Sequence, residues 1–364
     1  MTTAYSGDGI TFPDSTVQAT APRVGMVNRL INSDMRISQR NGGASVTPTN
    51  GQYTLDRWKY YSSQTSKVSI QQNASSVTPP AGFKNYLGVT SLSAYSVTAS
   101  DYFTITQLVE GFNMADFGYG AAGASTVTLS FWVRSSLTGT FGGSLTNDAA
   151  NYAYPFTYSI SVANTWEQKS ITITGATAGT WQSTNAAGIQ VLFALGAGST
   201  YSGTAGAWVA AGFLPSATGA TSVVGTSGAT FYLTGVQLEK GSTATDFEYV
   251  DYGRQLQMCQ RYYQLAEGFN GTAAGNNTFM YCTMQFKTEM RANPSVSANA
   301  NIQITYPGVN DYTQSSPSVS ITAGRVSTRA IQLDIKNFSG LTYLSPLAHN
   351  VGVNNASITL SSEL

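Results

Sequence analysis

Cleaving a glycan takes two carboxylates roughly 5–9.5 Å apart, one of them with a raised pKa. The chain has 18 acidic residues, but they are scattered. Glu110, Asp116 and Asp148 fall in or near expected loops of one β-rich region, and no motif joins any two of them. Hydrolysis is therefore not expected. Nucleophilic catalysis by Ser or Cys usually needs a histidine base. The single histidine, His349 in "LAHNVGVN", lies near the C-terminus, where a surface or subunit-contact role is expected. Cys259 and Cys282 make neither a disulfide framework nor, with one histidine, a zinc site. Two buried, reduced thiols are expected instead. The many glycines lie in turns rather than between a strand and a helix, so no phosphate-cradling loop is present.

Aromatic rings are the richer chemical resource. The chain carries 5 Trp, 21 Tyr and 16 Phe. A sugar packs its C–H face on such rings while nearby polar groups take its hydroxyls. Trp181 and Trp208 stand in Gly/Thr-rich stretches. Tyr152 and Tyr154 stand in "NDAANYAYPF", and Phe117 and Tyr119 in "EGFNMADFGYG". Loops rich in Asn, Tyr and Gly are adaptable recognition surfaces. Trp132 lies on the opposite face of its strand from Phe131, so it either meets a second layer or lines an exposed concave face. These seven rings are the candidate sugar-binding residues. The plainer alternative is that each tryptophan covers an end of a sandwich.

The elements that hold these residues are mostly strands. In "VTLSFWV", Val127, Leu129, Phe131 and Val133 share one face; so do Phe156, Tyr158, Ile160 and Val162 in "FTYSISV", and Ile189, Val191, Phe193 and Leu195 in "IQVLFAL". Such period-2 runs, separated by turns with no long helix between, predict an antiparallel sandwich or jelly roll over residues 26–250. In "TFYLTGVQL" the apolar phase changes from Phe231 and Leu233 to Val236 and Leu238, which predicts a bulge at Gly235. Asp251 is a plausible cap for a short connecting helix within residues 251–266. Tyr252, Leu256, Cys259 and Tyr263 then fall on one helical face. Residues 267–364 return to strands, as a small second β domain with Phe279 and Tyr281 on one face and Met280, Met284 and Phe286 on the other. Residues 1–25 suggest one hairpin or two short strands that cannot bury Ile10, Phe12 and Val17 by themselves. They are read as an attachment segment. The fold class is thus all-β, with one short linker helix.

Composition narrows the partners. The net charge is zero and charged residues are 10% of the chain, without the basic cluster that nucleic acid binding needs. Aromatic residues at 12% give enough apolar area to exclude disorder. No apolar run approaches the ~20 residues of a membrane span. "MTTAYSGDGI" has no basic start and no apolar stretch, and is not read as a secretory signal.

Several stretches resemble bacteriophage tail-fibre and receptor-binding proteins built on a carbohydrate-binding-module-like jelly roll, of a marine phage type. "NRLINSDMRISQRNGG" and "YTLDRWKYY" are similar to that family's opening. "VTLSFWVRSS", "NTWEQKSITITG" and "GTWQSTNAAGIQVLFALGAGS" are similar to its central strands, which implies core positions for Trp58 and Trp166. "FYLTGVQLEKGSTATDFEYVDYGRQLQMCQRYYQ" is similar to its closing strand and linker. "FKTEMRANPSVS" and "SSEL" resemble its C-terminal domain, and "GITFPDSTVQATA" its short N-terminal segments. The resemblance implies a virion protein assembled in the host cytoplasm, a homotrimer joined to other virion proteins through its N-terminus, and a host-surface polysaccharide as target. It leaves a glycan depolymerase and a purely structural head fibre or capsid appendage as alternatives. It also raises a structural calcium, for which Asp34 and Glu239 are candidate ligands because such folds bring the two ends of the domain together.

Overall fold

The computed structural model describes residues 25–364, apart from 276, 307–309, 314–318, 344 and 350–356. It also describes the backbone of three N-terminal strands. Of 310 and 321–324 the backbone alone is described. The N-terminal strands Ala4–Ser6, Gly9–Thr11 and Val17–Gln18 pair antiparallel. Phe12 and the side chains of Ile10 and Val17 lie outside the described residues.

The fold is all-β, as the alternation predicts. Two antiparallel sheets face each other. One has seven strands, ordered in space Val209–Ala210, Tyr152–Ile160, Gly139–Asn147, Ala187–Ala197, Tyr102–Glu110, Trp58–Ser62 and Tyr53–Leu55. The other has five: Glu167–Ile173, Val127–Ser135, Thr230–Lys240, Leu87–Ser91 and Val68–Gln72. The inward faces are the period-2 sets read from the sequence. Phe131 meets Phe193 and Tyr158 of the opposite sheet edge-on, each at 5.0 Å between ring centres. All three are buried, and full burial of each such side chain is worth about 1.5–3 kcal/mol. Val162 departs from its set. The strand ends at Ile160, and Val162 is 56% exposed in the turn that follows.

The bulge at Gly235 is present. Pairing with the strand Val127–Ser135 slips between Thr234 and Gln237, and Gly235 takes φ +59°. Glycine is required there twice over. The conformation is left-handed, and a Cβ would meet the Phe83 ring at 2.6 Å, with the Trp132 ring close by at 3.2 Å.

The linker helix runs only from Tyr252 to Gln260, shorter than the 251–266 expected. Asp251 caps it, its Oδ1 accepting from the backbone N–H of Gly253 and Arg254 at 2.9 and 3.2 Å. Tyr252 is 55% exposed, so the apolar stripe does not begin there; the buried helix residues are Gln255, Cys259 and Gln260. The chain leaves the helix at Arg261 because Tyr263–Ala266 pairs as a strand with Ile358–Ser361 of the C-terminal domain. Cys259 and Tyr262 pack against Ile31 and Ile37 of the sandwich.

The C-terminal domain has a three-stranded sheet, Tyr263–Ala266, Ile358–Ser361 and Ser295–Ala298. A seven-stranded sheet lies beside it, with Asn270–Ala274, Phe279–Gln285 and Ala330–Ile335 near its centre. Met280, Cys282 and Met284 face its own core with Ile331, Leu333 and Leu347. Phe279 and Tyr281 point to the other face, half-buried, their ring centres 5.9 Å apart.

Candidate functional site

Six of the seven candidate rings converge at one end of the sandwich. Asn147, fully buried, organises the place. Its Oδ1 accepts from the N–H of Asn151 and Tyr152, and its Nδ2 donates to the Thr180 carbonyl at 3.1 Å. One side chain thereby ties the 148–151 turn to the loop that carries Trp181. On the other side, Val209–Ala210 pairs with Tyr152 and Ala153 as an edge strand, and so brings Trp208 over Tyr152. The two rings lie parallel, 5.6 Å apart at an interplanar angle of 4°. Trp181 meets Trp208 and Tyr119 edge-on at 5.4 and 4.8 Å. The indole N–H groups are held by backbone carbonyls: Trp181 donates to Ala178 at 2.9 Å and Trp208 to Thr174 at 2.6 Å. Two glycines permit this closeness. A Cβ on Gly179 would press on Tyr152, and one on Gly120 would press on Trp181.

Within the cluster the rings divide by depth. Tyr119, Tyr152, Trp181 and Trp208 are half-buried, and Tyr119, Trp181 and Trp208 pack on the edge of the core. Phe117 and Tyr154 are buried and are corrected as ligand-facing residues. Phe117 ends a tight helical turn and packs in the core beneath the Arg29 guanidinium, 5.0 Å from its ring. Tyr154 has the same strand parity as Phe156 and Tyr158 and faces the same core. Period 2 would have placed it there, had its strand been started at Tyr152. The hydroxyl of Tyr119 is buried without a hydrogen-bond partner, and burial pushes its pKa up. The rings therefore cap the sandwich end, as the plainer alternative held, while four of them keep part of their surface in solvent.

Trp132 is elsewhere. It sits half-buried on the outer face of the five-stranded sheet, close to Phe83 and the Gly235 bulge and apart from the other six rings. Trp166 is half-buried rather than core. It lies edge-on to Tyr86 at 5.6 Å, with its N–H donated to the Thr78 carbonyl. Trp58 is fully buried.

The carboxylates answer to other partners. Glu110 is 2% exposed and accepts from Arg261 at 2.6 and 3.0 Å and from the Tyr262 hydroxyl at 2.6 Å. Asp116 pairs with Arg29 at 2.9 Å. Asp148 stands exposed on the turn after Asn147. His349 is buried rather than on the surface. It stacks on Phe269 at 4.4 Å, and its Nδ1 accepts from the Gly268 N–H. Burial lowers its pKa, and the Glu267 charge opposes that in part. Cys259 and Cys282 are free and buried. Burial raises both thiols, Cys282 to about 12.

The two ends of the domain do meet, Arg29 donating its N–H to the Leu238 carbonyl at 2.9 Å. As a calcium pair, however, Asp34 and Glu239 fit poorly. Burial raises the Asp34 pKa, and Oδ2 is already paired with Arg36 at 2.5 Å, which leaves only Oδ1 without a partner. Glu239 accepts from the Thr245 N–H and hydroxyl and from the Gln237 amide. Among the described residues no group of three or more His, Cys, Asp or Glu gathers, whereas calcium takes about 6–8 oxygens. Among them, too, no helix is long and apolar enough to cross a membrane.

No protein-family model matches the chain, and no curated protein matches it. Several solved structures are similar to it. One is the enzymatically active domain of tailspike protein 4 of bacteriophage CBA120, with TM-score 0.33 and 12% identity over 59% of this chain. The chain spans only 22% of that tailspike's length. Another is TmCBM61 in complex with β-1,4-galactotriose, with TM-score 0.30 and 10% identity, covering 59% of this chain and 99% of that one. A third is a family 11 carbohydrate-binding module from Clostridium thermocellum in complex with a β-1,3-1,4-mixed-linked tetrasaccharide. Its TM-score is 0.28 at 14% identity, covering 55% of this chain and 98% of that one. At such identities and scores these likenesses assign neither ligand nor activity.

Proposed function

We propose that the chain is a non-enzymatic phage fibre or spike protein whose sandwich recognises a cell-surface glycan. The observation that carries the glycan part is the aromatic cluster. Tyr152 and Trp208 lie parallel beside Trp181 and Tyr119, with part of each ring in solvent and the indole N–H groups already bonded inward. Such rings offer their apolar faces to a sugar's C–H face. The virion part rests on the sequence resemblance, as do the three-fold assembly and attachment through residues 1–25. On this reading the half-buried pair Phe279 and Tyr281 is a subunit contact.

The absence of catalysis is part of the proposal. Glu110 and Asp116 are engaged by arginines, which leaves Asp148 without a second free carboxylate among the three named. A glycan array probed with the intact protein and with Trp208→Ala and Trp181→Ala tests the reading. Binding that either substitution lowers about tenfold or more is expected. Binding unchanged in both variants overturns it, and release of reducing ends from a bound polysaccharide overturns the non-enzymatic part.

A further inference from the structure

A recess with polar and apolar walls lies at the foot of the linker helix, lined by residues of the helix and of the segments 26–33 and 248–251. It encloses about 160 Å³, room for roughly five waters at ~30 Å³ each and close to the bulk of one sugar ring with its hydroxyls. Its apolar wall is Met26, Leu30 and Met258, and the Tyr249 ring stands at its rim. Tyr249 is 56% exposed, yet its hydroxyl is fixed on the Gly82 carbonyl at 2.9 Å. The polar wall is mixed in character. Glu248 spends Oε2 on the Asn28 N–H at 2.7 Å, and Asp251 spends Oδ1 on the helix N-terminus. Each has a second oxygen with acceptor capacity. Two donors share the lining: the exposed Arg254 and Gln255, which is 4% exposed and whose Nε2 has no hydrogen-bond partner. A buried amide left unpaired is costly, so an occupant that engages it relieves part of that cost.

We infer that this recess is a subsite for a single neutral pyranose unit. Two carboxylates against one guanidinium leave a net negative wall, which disfavours an acidic sugar. Carboxylates accept from hydroxyls, while an amide and a guanidinium donate to hydroxyl oxygens. A polyhydroxylated ring with one apolar face matches both walls together. The inference rests on the reading of the chain as a glycan binder, but its residues are separate from the aromatic cluster.

The test uses the full chain with ¹³C-methyl-labelled methionine, because Met26 and Met258 report from inside the recess. Methyl glucoside, methyl galactoside, methyl mannoside and N-acetylglucosamine are titrated, with L-leucine as a zwitterionic control. At least one pyranoside is expected to shift the Met26 and Met258 methyl signals while leaving those of Met280 and Met284 in place. Gln255→Leu and Arg254→Met are each expected to weaken that response about tenfold. Arg254 is exposed, so its replacement tests the site without endangering the fold. Trp208→Ala should leave the response unchanged, whereas it is expected to lower binding at the aromatic cluster about tenfold or more. Array binding that Trp208→Ala and Trp181→Ala leave unchanged, beside a pyranoside response at Met26 and Met258, would therefore refute the earlier reading and spare this one. The inference is overturned if no pyranoside moves these two methyl signals, if Arg254→Met and Gln255→Leu respond like the parent, or if L-leucine moves them and the sugars do not.

Discussion

Glu363 holds the C-terminal domain to the sandwich, and removing its carboxylate should be among the most damaging single changes in the chain. Its side chain is 8% exposed and pairs with Arg57, which is 1% exposed, and with Arg40 at 2.7 Å. Arg57 also donates to the Leu108 carbonyl at 2.7 Å and lies 3.6 Å from the Tyr262 ring centre. In Glu363→Ala the guanidinium of Arg57 stays buried with its counter-ion gone. Breaking a buried pair on one side costs about 3–5 kcal/mol, because the surviving charge cannot be rehydrated. An exposed pair would cost roughly 1 kcal/mol or less. For a domain of this size each kcal/mol moves the thermal midpoint by about 2–4 °C, so a fall of roughly 10 °C is expected. Urea denaturation followed by tryptophan fluorescence gives the free energy directly. The double variant Arg57→Met/Glu363→Met should recover much of the loss, since two apolar side chains can replace a buried pair at little cost. A loss below about 1 kcal/mol in the single variant, or a double variant no better than the single, would refute the reasoning.

Gly235→Ala should lose about 2–4 kcal/mol, from left-handed strain of ~1 kcal/mol plus the collision of its Cβ with the Phe83 ring at 2.6 Å; a chemical-denaturation midpoint equal to that of the parent would remove the case for the bulge. Asp101 shapes the acid limb of stability. Burial alone would raise its carboxyl, but hydrogen bonds from Thr98, Ser63 and Tyr95 outweigh it and hold the pKa well below the usual range. A depressed folded-state pKa contributes stability above the unfolded value near ~3.9 and loses it as pH falls through the folded value. Asp101→Asn should therefore lower stability at pH 7 and flatten the decline below about pH 4, as thermal melts across that range would register.

Strand faces and the bulge were legible because they are local. Leu129, Phe131 and Val133 alternate within one segment, and the phase change around Gly235 lies within nine residues. The Asp251 cap was legible for the same reason. What was not legible depends on residues far apart in the chain. The helix stops at Gln260 because Tyr263–Ala266 is claimed by a strand nearly 100 residues later, and no helix-ending residue marks the place. Nothing in the stretch "NDAANYAYPF" sets Asn147 apart, yet its side chain bonds to Thr180, the residue before Trp181. The candidate rings could be named, since Gly- and Asn-rich surroundings set them apart. Which of them face solvent follows from strand parity for Tyr154 and from a tight turn for Phe117, and composition of the surrounding loop conceals both.

Beside the apolar packing of Cys259 and Tyr262 on Ile31 and Ile37, the junction between the two domains carries directional groups, and this has a consequence for recognition. Arg261 holds Glu110 by two nitrogens, and Arg291 donates to the Ser362 and Glu363 carbonyls and to the Asn185 carbonyl of the sandwich. An apolar contact tolerates sliding, whereas bidentate charged bonds fail when the angle between domains changes. The aromatic cluster and the helix-foot recess are therefore carried in fixed relation to the C-terminal domain. In the proposed assembly, copies joined through that domain would present their sites at set spacings. Binding by several weak sites then depends on how well that spacing matches the repeat of a surface polysaccharide. Weakening the junction, as in Glu363→Ala, should on that account lower the avidity of the intact protein for a surface of dense glycan more than its affinity for a free oligosaccharide. Equal losses on both would mean that the junction contributes stability and nothing to presentation.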